Sequence, residues 1–260
     1  MVRGRGWRPQ GRDGADPTRF YPTREQVKLD FYGEDRSPYD GLARFNETEA
    51  ARWANAYVSS GQASAQHLER TILKALGRPP RLTLEVGSFI GSAAVNVWGR
   101  MAKRKYGASD DGQRLVICAD TWQGAVVMRM GSHPDVIKMK NGFIDIGTTF
   151  MRRVLTEGLA EEVFPLSFPS IATARLLYLL GYKIDVIYVD SAHELGETLV
   201  ELSLFYALLR PGGLLMGDDL NFEAVHHDVA LFAACKNLTV RTHGIQWHIT
   251  REGREPLERR

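Results

Sequence analysis

The stretch Ile184-Asp-Val-Ile-Tyr-Val-Asp190-Ser-Ala-His193 decides the fold together with a second one, Leu209-Arg-Pro-Gly-Gly-Leu-Leu-Met-Gly217-Asp218-Asp219. In each stretch an apolar run of strand length ends in acidic residues, and the residues between them have the pattern of a helix. Two buried strands joined by a helix are typical of neighbours in a parallel sheet. The carboxyl ends of parallel strands meet at one edge of the sheet, so we expect the acidic ends of both runs to lie close together.

The same alternation of apolar runs and helical segments continues on both sides of this region. Because such strands are covered on both faces, the pattern predicts an α/β protein with a mostly parallel sheet. Only three residues separate the last two runs, and so short a connection allows only antiparallel pairing. The predicted strands are 82–86, 115–119, 163–167, 184–189, 214–217, 238–242 and 246–250, and the predicted helices are 48–57, 63–76, 92–105, 149–155, 170–180, 197–209 and 224–235.

The composition is that of an ordinary globular protein. The chain has 260 residues, 44% hydrophobic and 25% charged, and no apolar run approaches the ~20 residues that a membrane helix needs. The arginines at its start precede no apolar segment, which argues against a secretory signal. Cys118 and Cys235 have no metal-type spacing and are interpreted as reduced core residues. We therefore expect a cytoplasmic protein without a membrane partner.

Basic residues are concentrated at the two ends of the chain. The net charge is +2 overall, with +3 over residues 1–25 and +1 over 251–260, so the body is mildly acidic. Such a body is not typical of a nucleic-acid reader, and a nucleic-acid partner is disfavoured. The arginine-glycine start is interpreted as a solvated tail, with weak RNA contact as the alternative.

The pattern divides the chain into regions. We expect a disordered or extended basic segment over 1–40, helices over 41–80, the sheet domain over 81–250 and a charged tail over 251–260. Within the domain, the segment 121–162 is too long for a routine connection. It is either a lid over a site or a packing decoration, and both interpretations stay open.

A glycine-rich turn follows the first predicted strand. In Glu85-Val-Gly87-Ser88-Phe-Ile-Gly91-Ser92 two glycines lie four residues apart, which lets the backbone turn tightly and approach a ligand while the next helix presents free N–H groups. The spacing is not Gly-x-Gly-x-x-Gly, so a nicotinamide or flavin dinucleotide is disfavoured. A purely structural turn is the alternative.

The second predicted strand ends in Asp120-Thr121-Trp122. An acidic side chain at this place can accept hydrogen bonds from both hydroxyls of a ribose. The alternative is an aspartate that caps a turn or a helix. Trp122 could stack on a purine or fill the core beneath the loop, and core packing is the preferred interpretation.

Three carboxylates, Asp190, Asp218 and Asp219, are expected at the ends of two adjacent strands. Like charges raise one another's pKa unless a cation or donors compensate, and a hard ion such as Mg²⁺ is held by a few carboxylates. Adjacent residues of an extended strand point to opposite faces, so Asp218 and Asp219 can share an ion only if the strand bends or ends there. The alternative is a pair that caps a loop and binds no metal.

These motifs, taken in order, resemble the class I S-adenosylmethionine (SAM) dependent methyltransferases, over about Leu82 to Thr250. The combination Val-Asp190-x-x-His193, Arg-Pro-Gly-Gly and Gly-Asp-Asp is similar to the metal-dependent O-methyltransferases related to macrocin and aminocoumarin-sugar methyltransferases, with a cephalosporin hydroxylase-like branch. The resemblance implies a Rossmann-like, doubly wound sheet of seven strands, mostly parallel with an antiparallel last strand, preceded by N-terminal helices.

The resemblance also implies the site residues and two cofactors, SAM and Mg²⁺ or a similar divalent cation. His193, with Asp190, is expected to be catalytic and to take a proton from a substrate hydroxyl. A loop-capping histidine is the alternative for His193. The expected metal ligands are Asp190, Asp218 and Asp219, and the expected cofactor-binding residues are Glu85, Gly87, Ser88, Gly91, Ser92, Asp120, Thr121, Trp122 and Ser170.

Other histidines are not assigned to the site. The run His226-His227-Asp228 is interpreted as solvent-facing or capping, and His133 has no assignable partner.

The function expected is O-methylation of a small hydroxylated molecule, such as a sugar-containing or otherwise polyhydroxylated natural product. The alternatives are a metal-independent methyltransferase and a catalytically idle SAM-fold protein that binds a ligand or partner, since fold does not fix function. The identity of the substrate and the oligomeric state, including a homo-oligomer, stay open.

Overall fold

The computed structural model describes residues 21–34, 36–55, 61–107, 112–125, 128, 139–141, 143–191 and 193–252. The helices are α1 Arg24–Tyr32, α2 Glu47–Asn55, α3 Gly61–Leu76, α4 Arg100–Lys103, α5 Ile146–Thr156, α6 Ser170–Leu179, α7 Glu197–Phe205 and α8 Glu223–Lys236. The strands are β1 Leu82–Val86, β2 Leu115–Asp120, β3 Met139–Lys140, β4 Phe143–Ile144, β5 Val163–Ser167, β6 Ile184–Val189, β7 Leu209–Gly217, β8 Arg241–His243 and β9 Gln246–Thr250. A π-helical segment, Ala94–Gly99, leads into α4, and a 3-10 turn, Tyr206–Leu208, follows α7.

One sheet contains seven of the described strands, in the order β5-β2-β1-β6-β7-β9-β8. Strands β5, β2, β1, β6 and β7 are parallel, and β9 runs antiparallel to both β7 and β8. The Rossmann-like, doubly wound sheet with an antiparallel last strand is thus confirmed. The strand order reverses between β1 and β6, where Val86 is level with Val189. A crevice is expected at the carboxyl ends of strands at such a switch point.

Both faces of the sheet are covered, which explains why its strands are continuous apolar runs. Successive side chains point to opposite faces, so Leu84 and Val86 join a core with α1, α6, α7 and α8. Cys118, Tyr188 and Met216 join the opposite core, which is built with α3, α4 and α5. No helix of the described residues is long and apolar enough to cross a membrane.

The predicted strand 238–242 was placed too early in the chain, because β8 begins only at Arg241. Asn237 has a left-handed φ of 54° and ends α8, and the Leu238 N–H then bonds to the carbonyl of Ala233. Leu238 and Val240 pack against the core without belonging to a strand. Their apolar character therefore reflects burial and not strand pairing.

Part of the 1–40 segment is helical, which corrects the expectation of disordered or extended chain there. Val27 of α1 is fully buried, the Tyr21 hydroxyl donates to Asp185 Oδ1 at 2.9 Å, and the Tyr32 hydroxyl donates to a carbonyl of β5 at 2.8 Å. Partly buried aromatic side chains with satisfied hydroxyls offset the entropy of ordering this segment. The expectation for residues 1–20 lies outside the described residues.

Two smaller expectations also need correction. The helix predicted to begin at residue 48 begins at Glu47 and is capped by Asn46, since Asn46 Oδ1 accepts from the Glu49 N–H and the Glu49 carboxylate accepts from the Asn46 N–H. This reciprocal pair is a capping box. Cys235 is exposed on α8, whereas Cys118 is buried as expected. The inward face of α8 is formed by Val225, Val229 and Phe232, a helical spacing that leaves position 235 outside.

Candidate active site

Gly87 brings the end of β1 into direct backbone contact with the end of β6. It has a φ of +87°, and a Cβ there would meet the carbonyl group of Asp190 and lie 2.6 Å from Ser191 Cα. The Asp190 N–H donates to the Val86 carbonyl at 2.8 Å, and the Gly87 N–H donates to the Ala119 carbonyl at 2.9 Å. Only glycine fits both the backbone angle and the close approach. The glycine loop and the acidic loop after β6 therefore form one unit.

The rest of the glycine loop packs on the helix α5. Gly91 has a φ of +81°, and a Cβ there would lie 2.9 Å from the Phe150 ring. Ser88 is buried and Ser92 is half-buried. Phe150 belongs to the 121–162 segment, so this segment supports the loop from behind. Part of the 121–162 segment, including His133, lies outside the described residues. Its interpretation as a lid therefore stays a prediction.

Asp120 binds backbone N–H groups and holds two loops together. Its Oδ2 accepts from the Phe89 N–H and its Oδ1 from the Trp122 N–H, both at 2.7 Å. Burial raises the pKa of Asp120, and these backbone bonds oppose the shift. This is the turn-capping interpretation of the residue. The Ser88 and Thr121 N–H groups also oppose the shift, so the carboxylate is engaged mainly by the backbone, and ribose binding stays a prediction.

Trp122 fills the core beneath the loop, which is the preferred interpretation of the sequence. Its side chain is buried, its indole N–H donates to the Phe89 carbonyl at 2.9 Å, and its ring centroid lies 5.1 Å from that of Phe150. Thr121 is exposed at the same turn and its hydroxyl accepts from the Gln123 N–H.

Glu85 is buried beneath the glycine loop, on the side of the sheet that faces α4. The Trp98 indole N–H donates to its Oε1 at 3.0 Å, and the Cys118 thiol lies 3.5 Å from its Oε2. Burial raises the pKa of Glu85 to about 8. The carboxyl group is therefore mostly protonated at neutral pH, and its place in cofactor binding stays a prediction.

The raised pKa of Glu85 makes stability depend on pH. A carboxyl group whose pKa rises on folding binds its proton more tightly in the native state, so its contribution to the free energy of unfolding decreases between the ordinary pKa and about pH 8. We expect Glu85→Gln to remove this decrease and to gain up to a few kcal/mol relative to the wild type between pH 5 and pH 8. Urea unfolding of the variant and of the wild type at pH 5 and at pH 8 measures this difference in the free energy of unfolding. The exposed Glu197→Gln is the control, and parallel pH profiles for Glu85→Gln and the wild type would contradict the prediction.

Asp190, His193 and Asp219 form a cluster at the carboxyl ends of β6 and β7. One ligand atom from each lies within 4.8 Å of the other two. His193 Nε2 lies 2.8 Å from Asp219 Oδ2 and 3.9 Å from Asp190 Oδ1. Strand β7 ends at Gly217, and Asp219 adopts a left-handed φ of 57°. That turn directs Asp219 into the cluster.

Asp218 faces a different neighbour from Asp219. The Tyr188 hydroxyl donates to its Oδ2 at 3.2 Å, and its Oδ1 accepts from the Asp219 N–H at 3.0 Å. The described cluster thus contains His193 where the sequence suggested Asp218. The sequence-based prediction that Asp218 ligates a metal is untested, and this cluster favours Asp219 over Asp218 as the ligand.

The electrostatics of the cluster favour binding of a cation. Burial and the nearby charges of Asp219 and Asp218 raise the pKa of Asp190 to about 7. The hydrogen bond to Asp219 raises the pKa of His193, and burial opposes that shift. Crowded carboxylates with raised pKa values are typical of functional sites, although structural networks also produce them.

Sequence reasoning missed Glu201, which connects two loops of the crevice. This residue of α7 is buried, and its Oε2 accepts from the Ser191 hydroxyl at 2.6 Å. Burial raises its pKa, and hydrogen bonds from Ser191 and Ser170 oppose the shift. Ser170, the expected cofactor residue at the start of α6, is therefore tied to the loop that carries Asp190. A buried acid in the middle of an apolar helix was the available signal.

The His226-His227-Asp228 run has the capping role considered for it. Asp228 is fully buried, and its Oδ2 accepts from the N–H groups of Gly196 and Leu199 at 2.8 and 3.1 Å, at the start of α7. His226 and His227 are exposed on α8. Phe222, which precedes α8, lies beside the cluster, with its ring centroid 5.0 Å from that of His193.

Comparison with known proteins gives one family and a set of similar folds. Residues 84–220 match the family model described as a methyltransferase domain. No curated protein matches the chain.

Three solved structures have similar folds. An O-methyltransferase from Bacillus cereus in complex with SAH is 13% identical with a TM-score of 0.53, over 87% of this chain and 96% of that chain. The O-methyltransferase TomG from Streptomyces achromogenes, involved in tomaymycin synthesis and in complex with SAM, is 15% identical with a TM-score of 0.52, over 82% and 94%. The calicheamicin methyltransferase CalS11 is 14% identical with a TM-score of 0.52, over 92% and 97%. At these identities the likeness concerns the fold.

Proposed function

Because the chain belongs to the methyltransferase-domain family, whose model its residues 84–220 match, we propose that it is a SAM-dependent, divalent-metal-dependent O-methyltransferase. The acceptor proposed is a hydroxyl group of a small molecule, either sugar-containing or another polyhydroxylated natural product. One observation carries the proposal: Asp190, His193 and Asp219 meet at the crevice directly beside Gly87.

The glycine loop has the features that a SAM site needs. Gly87 and Gly91 have positive φ angles, and their missing side chains make room for the main chain of Asp190 and the ring of Phe150. They therefore give the loop a tight turn at the carboxyl end of β1, beside the acidic cluster. Asp120 lies at the end of β2, where a carboxylate can accept hydrogen bonds from ribose hydroxyls, and Ser170 lies at the start of α6, where an adenine ring is expected. When bound, SAM supplies the methyl group.

The donor set of the cluster fits a hard divalent cation. Asp190 and Asp219 offer carboxylate oxygens, which Mg²⁺ prefers, whereas imidazole suits softer transition metals. Burial and the charges of Asp219 and Asp218 raise the pKa of Asp190, and a cation between the two carboxylates would offset both effects. A bound divalent cation orients substrate oxygens and makes a bound hydroxyl more acidic.

The residues of the chain then divide the remaining work. His193 is left to accept the proton of the acceptor hydroxyl, and Asp219, 2.8 Å from its Nε2, fixes the orientation of the ring. Glu201 holds Ser191 and thereby the loop between Asp190 and His193. Phe222 gives this side of the crevice an apolar wall beside the base. Positioning the acceptor against the methyl carbon is expected to supply much of the rate acceleration.

A metal-independent methyltransferase is the second candidate, and the contact between His193 and Asp219 favours it. A carboxylate that orients a histidine is sufficient for general-base catalysis without an ion.

The remaining expectations belong to the same proposal. The mildly acidic body argues against a nucleic-acid partner. A cytoplasmic location is part of the proposal, in which Cys118 and Cys235 stay free thiols.

The decisive experiment combines cofactor binding with methyl transfer. Calorimetry with SAH tests the cofactor, and methyl transfer from labelled SAM to a panel of polyhydroxylated acceptors is measured in EDTA and after addition of Mg²⁺. We expect SAH binding, loss of transfer in EDTA and recovery with Mg²⁺. Full turnover in EDTA would select the metal-independent candidate. SAH binding without transfer to any acceptor would favour an idle binding protein, and no SAH binding would contradict the proposal.

A further inference from the structure

Arg153 of α5 is a buried cation beside the glycine loop. Its residue surface is 4% exposed. Its Nη1 group donates to Ser92 Oγ at 3.1 Å and lies 3.5 Å from the carbonyl oxygen of Ile90. Both acceptors are neutral, and no carboxylate of the described residues forms an ion pair with Arg153. Burial lowers the pKa of Arg153, and the charge of the Glu157 carboxylate opposes part of that shift without forming an ion pair.

The neighbouring Arg152 shows the usual arrangement for comparison. Its guanidinium pairs with the Glu49 carboxylate at 2.9 Å and lies over the Phe45 ring at 4.3 Å. Buried charges in proteins are generally paired, because an isolated ion in a low-dielectric interior is unfavourable. A buried guanidinium whose described hydrogen-bond partners are all neutral therefore favours binding of an anion next to it.

The position of Arg153 identifies which anion. Ser92 and Ile90 flank Gly91 of the glycine loop. If SAM binds at this loop, we expect its methionine end to lie there, beside the helix that follows. That end carries one carboxylate and one ammonium group, and only the carboxylate attracts a guanidinium. Both described hydrogen bonds of Arg153 use Nη1. The Nε and Nη2 groups make no further hydrogen bond within the described part of the chain, and they match the planar, two-oxygen geometry of a carboxylate.

We propose that Arg153 binds the carboxylate of the methionine moiety of SAM, an inference that rests on the proposed function. The residue comes from the 121–162 segment and not from the glycine loop itself. This segment would then take part in cofactor recognition.

The test compares a ligand that has the carboxylate with one that lacks it. The affinities of SAH and of 5′-methylthioadenosine, which has neither the carboxylate nor the amine, are measured by calorimetry for the wild type, Arg153→Met, Arg153→Lys and Arg152→Met. For Arg153→Met we expect SAH to bind about 10- to 100-fold more weakly, as for loss of a charge-assisted hydrogen bond. The affinity for 5′-methylthioadenosine should change less than about twofold on the same scale. Arg153→Lys should keep part of the SAH affinity, and Arg152→Met, which removes the same charge one residue away, should keep all of it.

Each other outcome has a definite meaning. Equal losses for both ligands in Arg153→Met would assign Arg153 to the structure of the loop and overturn the inference, as would unchanged SAH affinity. Retained binding of 5′-methylthioadenosine demonstrates that the variant is folded. A wild-type protein that binds neither ligand would instead contradict the proposed function.

Discussion

Asp219→Asn is expected to lower kcat at least 100-fold, whereas Asp218→Asn should stay within about fivefold of the wild type. The first change removes a charged oxygen from the cluster that is proposed to hold the cation, and metal assistance contributes several kcal/mol to such reactions. The second change affects a side chain that faces Tyr188. Asparagine tolerates the left-handed φ of 57° at position 219, so the backbone turn is kept.

The two variants are matched, since each removes one negative charge from adjacent positions. Steady-state kinetics at saturating SAM and Mg²⁺ gives kcat, and calorimetry gives the affinity for Mn²⁺ as a probe cation. Equal losses of kcat and of Mn²⁺ affinity in both variants would mean that Asp218 is a ligand, as the sequence resemblance implies. Wild-type kinetics in Asp219→Asn would exclude the cluster as the metal site.

His193→Ala is the second change with a large expected effect. A positioned general base contributes about 10²- to 10⁴-fold, so kcat should decrease by that factor while the affinity for SAH stays that of the wild type. Because His193 is not one of the proposed metal ligands, the affinity for Mn²⁺ should also stay that of the wild type. Added imidazole is expected to restore part of the rate.

The exposed His226→Ala, on α8, is the control for loss of a surface histidine and should have no effect. A large loss of Mn²⁺ affinity in His193→Ala would assign His193 as a metal ligand, and an unchanged kcat would assign it to the structure of the loop.

The fold could be predicted from the sequence because its signals are local. Continuous apolar runs mark strands buried on both faces, and the glycines and acids that end these runs mark the carboxyl edge of the sheet. The helix α1 could not be predicted in this way. Its stability depends on contacts such as that of the Tyr32 hydroxyl with the carbonyl of Pro165, far away in the chain, and periodicity does not report distant partners.

The site was predicted at the level of loops but not of side-chain partners. The sequence places Asp218 and Asp219 together, yet the backbone turn at Asp219 sends the two carboxylates to different neighbours. Asp120 was predicted at the right strand end, but its hydrogen bonds to the Phe89 and Trp122 N–H groups depend on the path of the neighbouring loop. Arg153 has no motif at all, since its importance arises only from where α5 packs.

The contact of Gly87 with the main chain of Asp190 also bears on how two ligands influence one another. No side chain separates the two loops, so a shift of either backbone displaces the other. An ion that immobilises Asp190 therefore also immobilises the glycine loop, where SAM is proposed to bind. Such coupling between binding equilibria is reciprocal. If Mg²⁺ raises the affinity for SAM by some factor, SAM must raise the affinity for Mg²⁺ by the same factor. We therefore expect the two ligands to bind cooperatively.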